Sequence, residues 1–136
     1  MTEEDLIAAA RTAALRAYAP YSKFAVGCAV ESVDGAVVLG ANIENACYRL
    51  GQCAEQAALA AAQQAFGLAQ VARIAIVALT GDRPVSPCGG CRQAIAEAAH
   101  LSGIDIEIIC AASDRTERHT IAALLPHCFG SDHLIA

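Results

Sequence analysis

Apolar residues recur at helical intervals near the start of the chain. Behind Thr2, the segment EEDLIAAARTAALRAYA places them three and four residues apart, and Pro20 lies just beyond it. A threonine in front of such a run is a suitable N-cap, and a proline after it is typical of a helix end. The pattern predicts that the chain opens with a helix.

A β-hairpin is predicted next. The segment FAVGCAVESVDGAVVLGANIE contains two short runs of β-forming residues on either side of Val33-Asp34-Gly35. An Asp-Gly pair between such runs favours a tight hairpin turn. We therefore expect two antiparallel strands.

An alanine-rich helix and a buried strand follow. Residues 53–66 have helical composition, Gly67 stands where a left-handed C-cap residue is expected, and VARIAIVAL at 71–79 is a continuous apolar run. Few large side chains project from residues 57–65, so a neighbouring backbone can approach closely. A packed interior position, an oligomer interface, or high helix propensity alone would each account for this composition.

The alternation of helix and strand continues to the end of the chain. A turn-rich loop, GDRPVSPCGG, precedes a third helical stretch at 90–100, which Gly103 interrupts. IDIEIIC at 104–110 then alternates as a strand, and the tail contains one short helix. This order predicts an α/β domain in which a mixed sheet is covered by helices on both faces.

Composition limits the class of protein. The chain has 136 residues, 56% hydrophobic and 17% charged, which suits one domain over 1–136. No export signal and no membrane-crossing apolar run is recognisable, so a cytoplasmic protein with reduced or metal-bound cysteines is expected. The net charge of −5, with nine scattered basic residues, disfavours a nucleic acid polymer as partner and favours a small neutral substrate.

Three cysteines carry the chemical signal. Cys88 and Cys91 form the C-x-x-C of PCGGC, which alone could be a metal pair, a redox pair or two ordinary cysteines near a turn. Cys53 lies 35 residues upstream, and both groups of cysteines precede a predicted helix. Helix N-termini stabilise anions such as thiolates, and zinc is the metal best suited to a thiolate set.

Glu55 stands two residues after Cys53. Three protein ligands would leave one coordination position open for water, which is typical of a catalytic zinc site. A carboxylate beside that position could move protons. The alternative is that Glu55 only stabilises the first turn of its helix through the helix dipole.

These motifs resemble a known family. Cys53-Ala54-Glu55 followed by Pro87-Cys88-Gly89-Gly90-Cys91 is similar to the zinc-dependent nucleoside deaminase signature. The blocks YSKFAVGCAV, GANIENACY, CAEQAA, SPCGGCRQ and LLPHCFG, in this order over almost the whole chain, resemble the small homotetrameric cytidine deaminases. The resemblance implies a three-layer α/β/α fold with a mixed five-stranded sheet, one zinc ion per subunit, and deamination of cytidine and deoxycytidine in pyrimidine salvage.

The resemblance also implies roles for single residues. Cys53, Cys88 and Cys91 would bind zinc. Glu55 would pass a proton from the attacking water to the pyrimidine ring nitrogen and then to the departing amine.

The remaining implied residues would contact the nucleoside. Phe24 would line the site, Asn42 and Glu44 would bind the ribose hydroxyls, and the backbone N–H of Ala54 would meet the base carbonyl. Phe129 would stack on the base in a neighbouring subunit's site. Without the resemblance, the Asn-Glu-Asn loop could make only its own turn contacts, and Phe129 could be a hydrophobic anchor of the tail.

Several positions leave alternatives open. Many relatives have arginine where this chain has Gln56, so Gln56 or Arg92 is expected to supply hydrogen bonds to the thiolates. If Cys47 were a fourth ligand, the zinc would be structural and the protein a binding module. Another aminopyrimidine nucleoside is the alternative substrate. The other cysteines, Cys28, Cys110 and Cys128, are interpreted as small packing residues, and none of the four histidines is needed as a ligand.

Overall fold

Four α-helices and five strands, with three short 3-10 helices between or after them, make up the regular structure of the computed structural model, which describes residues 1–134. In chain order they are α1 (Glu3–Ala14), β1 (Val26–Ser32), β2 (Val37–Ala41), α2 (Ala54–Ala65), β3 (Val71–Ala78), α3 (Gly89–Ser102), β4 (Glu107–Ala111), β5 (Thr116–Thr120) and α4 (Ile121–Leu124). No helix in this part of the chain is both long and apolar enough to cross a membrane.

The strands form one mixed sheet in the order β2-β1-β3-β4-β5. β1 pairs antiparallel with β2 and β3, β3 pairs parallel with β4, and β5 closes the far edge antiparallel to β4. The hairpin predicted around Val33-Asp34-Gly35 is therefore confirmed as β1 and β2.

Alternate residues of the central strands face opposite layers. Ala29 and Ala75 pack with Leu6 and Ala10 of α1 on one face. The neighbouring strand positions belong to a larger core with α2 and α3 on the other face, which includes Cys28, Val30, Ile74, Ile76, Ala58 and Ile95. The period of two along each strand thus separates two cores, as expected for a three-layer α/β/α domain.

The opening helix is shorter than its sequence pattern. Thr2 caps it with a capping box, since its Oγ1 accepts from the Asp5 backbone N–H at 3.1 Å and its own N–H donates to the Asp5 carboxylate at 3.1 Å. However, the helix ends at Ala14 rather than running to Pro20. The backbone of Tyr18 pairs instead with Asn42 and Glu44, at 3.0 and 2.8 Å, and this pairing draws the segment away from the helix axis.

The alanine-rich helix packs inside the domain. Its Ala58 and Ala62 are fully buried, and its backbone comes so near Gly40 of β2 that a Cβ at Gly40 would lie 2.3 Å from the Ala58 nitrogen. The small side chains of α2 therefore allow close approach of helix and sheet, the first of the alternatives left open by the sequence.

Three local expectations need correction. Gly67 has a positive φ of 89° but an extended ψ of 143°, so it is no left-handed cap, and Phe66 holds the C-cap position of α2. The strand predicted from residue 104 begins at Glu107, and β5 was not predicted from the pattern. Gly103, with φ 71° and ψ 16°, is the left-handed cap of α3.

Candidate active site and metal centre

Three thiols meet where two helices begin. Cys53 is the N-cap of α2, Cys88 is the N-cap of α3, and Cys91 lies in the first turn of α3. Their sulfur atoms all lie within 4.8 Å of one another. The two motifs that are 35 residues apart in the sequence therefore form one cluster.

The donor set fits a zinc ion. Thiolates bind zinc at about 2.3 Å, so three of them in a tetrahedral shell lie about 3.8 Å apart. The observed cluster satisfies this spacing with small shifts of the side chains. Among residues 1–134 the cluster has three members; Cys47 is exposed and does not belong to it.

The environments of the three thiols differ. The backbone N–H groups of Cys91 and Gly90 lower the pKa of Cys88, as expected at a helix N-terminus. Burial raises the pKa of Cys53 and of Cys91. The expectation that helix N-termini favour all three thiolates thus applies to Cys88, whereas the other two need a cation to offset their desolvation.

Glu55 is buried beside this cluster. It lies in the first turn of α2 with only 6% of its surface exposed. Burial raises the pKa of its carboxyl group, while hydrogen bonds from its own backbone N–H and from the Cys91 thiol act in the opposite direction. A carboxyl group that only stabilised the first turn of its helix would be expected to lie in solvent, so the burial of Glu55 argues against this alternative.

Gln56 and Arg92 behave differently towards the cluster. The side-chain Nε2 of Gln56 lies 4.0 Å from Cys91 Sγ and can donate to it. Arg92 donates to the Pro87 and Leu124 carbonyls at 2.7 and 2.8 Å instead. Of the two candidate donors to the thiols, Gln56 is therefore the one in place, and Arg92 instead holds the loop before α3.

A cavity of about 280 Å³ opens next to the cluster. The predicted nucleoside-contacting residues of the hairpin region line it together with the first residues of α2. These residues are Phe24, Asn42, Glu44, Cys53, Ala54 and Glu55, joined by Cys88 from α3. Every predicted site residue thus lines this cavity except Cys91 and Phe129. Cys91 belongs to the thiol cluster but is fully buried.

Asn42 and Glu44 are held by the chain around them. The Asn42 carboxamide accepts from the Val26 backbone N–H at 2.9 Å and donates to the Phe24 carbonyl at 2.8 Å. These two bonds leave the amide one N–H and one acceptor position. Asn42 therefore fixes the backbone that carries Phe24.

Glu44 accepts three hydrogen bonds within the chain. The backbone N–H groups of Tyr21 and Ser22 donate to Oε1 at 3.0 and 3.1 Å, and the Ser22 hydroxyl donates to Oε2. These bonds lower the pKa of the carboxyl group. Ser22 also lines the cavity and was missed by the sequence analysis, because its bond to Glu44 joins residues that are distant along the chain.

Phe129 lies outside the cavity of its own chain. Its side chain is 55% exposed and its ring stacks on His133, with centroids 5.2 Å apart. Gln93 of α3 donates to the Phe129 carbonyl at 2.9 Å. The residue is thus anchored through its backbone, while its ring contacts His133 and remains more than half exposed.

Comparison with known proteins agrees with this architecture. Residues 1–104 match the family described as the cytidine and deoxycytidylate deaminase zinc-binding region. Cytidine deaminase from Sporosarcina psychrophila is 42% identical over 134 residues, covering 98% of this chain and 96% of the relative. That from Halalkalibacterium halodurans is also 42% identical and covers 98% of each chain.

Solved structures agree with the fold. The crystal structure of cytidine deaminase from Burkholderia pseudomallei superposes with a TM-score of 0.86 at 40% identity, covering 95% of this chain and all of the other. Cytidine deaminase from Mycobacterium tuberculosis gives 0.76 at 36% identity, with 96% and 99% covered.

Fold and thiol cluster together define a zinc-binding deaminase domain. The chain belongs to the cytidine deaminase family. The family, the three-layer fold with its mixed five-stranded sheet, and zinc as the cofactor are thereby confirmed.

Proposed function

We propose that this protein catalyses the hydrolytic deamination of cytidine and deoxycytidine to uridine and deoxyuridine, with release of ammonia, as a step of pyrimidine salvage. One observation carries the proposal: a buried carboxyl group, Glu55, lines the same cavity as Cys53 and Cys88 of the three-thiol cluster. Metal ligands and a proton carrier thus border a single space that can take a small molecule.

In this proposal Cys53, Cys88 and Cys91 hold the zinc ion. When bound, zinc supplies Lewis-acid chemistry that lowers the pKa of a coordinated water. The side chain of Gln56 donates to Cys91 and so helps to hold the thiolate in place.

Glu55 moves the protons. Its carboxylate takes a proton from the attacking water and gives it to the pyrimidine ring nitrogen, which makes the ring carbon that bears the amine electrophilic. A second proton reaches the departing amine by the same carboxyl group, and the amine leaves as ammonia. Because Glu55 is shielded from bulk water, these protons go to the substrate rather than to solvent.

The hairpin region binds the sugar and the base. Phe24, Asn42 and Glu44 all line the cavity, and Asn42 keeps one N–H and one acceptor position free of bonds within the chain. An amide and a carboxylate together can bind a diol through complementary donors and acceptors. The backbone N–H of Ala54, at the start of α2, donates to the base carbonyl.

We further propose a cytoplasmic homotetramer in which Phe129 completes the site of a neighbouring subunit. Phe129 is largely exposed and lies away from its own cavity. Exposed apolar side chains in the segments before and after the β1–β2 hairpin supply surface for subunit contact: Tyr18, Tyr21, Ile43, Tyr48 and Leu50. All seven cysteines are free, which suits a reducing compartment.

The proposal is tested by following the ultraviolet absorbance of cytidine with the zinc-loaded protein. We expect conversion to uridine, its loss when a chelator removes the zinc, and its return when zinc is added back. Folded, zinc-containing protein that leaves cytidine and deoxycytidine unchanged would contradict the proposal and direct the search to other aminopyrimidine nucleosides.

A further inference from the structure

A cysteine and a histidine outside the active site lie in hydrogen-bond contact. The Sγ atom of Cys128, in the segment after α4, is 3.7 Å from Nε2 of His100 in the last turn of α3. Cys128 is partly buried and His100 is exposed. Neither residue contacts the three-thiol cluster or lines its cavity.

The chain around this pair is shaped to the imidazole ring. A Cβ at Gly130 would lie 2.3 Å from Cε1 and 2.6 Å from Nδ1 of His100, so a side chain at this position would displace the ring from its place beside Cys128. His127, on the other side of Cys128, adopts a positive φ of 54°, which is uncommon for a residue other than glycine. The segment thus curves over His100 and holds Cys128 against its ring nitrogen.

The pair borders a separate cavity of about 390 Å³. Most of its walls are apolar and come from α3, from the segment before β4, and from α4 with the residues that follow it. They include Ala96, Ile104, Ile121, Leu125 and Pro126. A small molecule with an apolar or aromatic group can therefore lie beside the Cys128 sulfur.

The other six cysteines lack this combination. Cys28 and Cys110 are buried in the core, and three belong to the metal cluster. Cys47 is exposed, and within residues 1–134 its thiol makes no hydrogen bond and has no histidine beside it. Cys47 is therefore a natural internal control for the reactivity of an accessible thiol.

We propose that Cys128 is a modification site whose thiol, activated by His100, exchanges with small disulfides that carry an apolar or aromatic group. His100 Nε2 takes the thiol proton while the Cys128 sulfur attacks one sulfur of the disulfide. The bond between Cys128 and that sulfur forms and the original disulfide bond breaks. The leaving thiolate takes the proton back from the imidazolium and departs as a free thiol, so the disulfide is the only oxidant.

The first test measures the rate of modification at each thiol of the zinc-loaded protein. A limiting amount of 4,4′-dithiodipyridine is added, the reaction is quenched in acid, and peptide mass spectrometry locates the mixed disulfide; Cys128→Ser confirms the assignment. We expect Cys128 to react at least about tenfold faster than Cys47, because His100 Nε2 lies 3.7 Å from its sulfur and can take the thiol proton during the attack. A rate at Cys128 equal to or below that at Cys47 overturns the proposal.

The second test separates activation by His100 from the effect of the cavity. His100→Gln keeps a polar side chain on the exposed end of α3, and it should slow Cys128 by about tenfold and leave Cys47 unchanged. An unchanged or faster reaction at Cys128 excludes His100 as the activating base.

The contribution of the cavity is measured in the unaltered protein with two disulfides, the aromatic dithiodipyridine and the polar glutathione disulfide. At each thiol, the rate with dithiodipyridine is divided by the rate with glutathione disulfide. This ratio should be larger at Cys128 than at Cys47. Equal ratios exclude the apolar cavity as the binding element, even if His100→Gln fails to fold.

Discussion

Single side chains set the properties of the thiol cluster. Cys88 receives backbone N–H donors, whereas Cys53 and Cys91 are desolvated and their pKa values are raised. A bound cation reverses this penalty, so zinc affinity depends on how well the remaining charge on the thiolates is balanced. Gln56 is the side chain that donates to this cluster from α2.

We expect Gln56→Ala to weaken zinc retention. Removing a donor that orients a metal ligand lowers metal affinity by about tenfold or more. The measurement is competition with a chromophoric chelator, and Gln64→Ala, exposed on the same helix, is the matched control. Equal zinc retention in the two variants would show that the contact at 4.0 Å contributes nothing.

The Ser22 hydroxyl orients the carboxylate of Glu44. It donates to Glu44 and also accepts from the Phe24 backbone N–H at 3.0 Å, so it connects two proposed substrate contacts. Ser22→Ala should raise KM by about tenfold with kcat largely unchanged, since the loss affects ribose binding rather than proton transfer. Ser113→Ala, in the exposed turn before β5, should leave both constants unaltered. A fall in kcat with constant KM would place Ser22 in the chemistry instead.

Close contact between α2 and the strand β2 fixes where α2 begins. Gly40 lets the α2 backbone approach β2, and this approach positions Cys53 and Glu55 at the edge of the cavity. Any side chain at this glycine must push the helix outward.

Gly40→Ala should therefore destabilise the fold by at least about 2 kcal/mol, because an added Cβ would lie 2.3 to 2.8 Å from the backbone of α2. Urea denaturation measures the change. The comparison variant is Gly89→Ala, where an added Cβ meets nothing within 4 Å. Similar stability losses in both variants would contradict the packing argument.

The capping box of α1 gives a pH-dependent contribution. Hydrogen bonds from the side chain and backbone of Thr2 lower the pKa of Asp5 in the folded state. A lowered carboxyl pKa stabilises the fold above the unfolded-state pKa of about 4, and the contribution is lost as the pH falls through the folded-state value. Thr2→Ala should thus lower Tm at neutral pH and make less difference in acid. A Tm difference that is constant with pH would rule out the contribution of Asp5.

The sequence was most informative where the signal is local. The proposed ligands Cys88 and Cys91 are three residues apart at one helix start, and Glu55 follows Cys53 by two, so this candidate set could be predicted from spacing and from the pattern of a helix start. The end of α1 could not, because backbone bonds from Tyr18 to Asn42 and Glu44 decide it. β5 was missed because its residues, TERHT, are polar on an edge strand and show no apolar period.

The proposed homotetramer requires active sites that are shared between subunits. In the proposed assembly the Phe129 ring, which lies outside the cavity of its own chain, completes the site of a neighbouring subunit. Phe129→Ala should therefore lower activity without loss of zinc. Co-expressed Phe129→Ala and Glu55→Gln chains should then recover part of the activity, since mixed assemblies contain sites with one intact copy of each residue. No recovery in assemblies shown to be mixed would exclude sharing of Phe129 between subunits.

Proton transfer by Glu55 is the step on which the proposed deamination depends. The measurement is the rate of cytidine deamination by Glu55→Gln, with zinc content determined on the same sample and Glu97→Gln, exposed on α3, as the control. We expect one zinc per chain in both variants and full activity in Glu97→Gln. In Glu55→Gln the rate of cytidine deamination should fall by at least about 10²-fold. A Glu55→Gln protein that keeps its zinc and deaminates cytidine at the unaltered rate would contradict the proton-carrying role of Glu55.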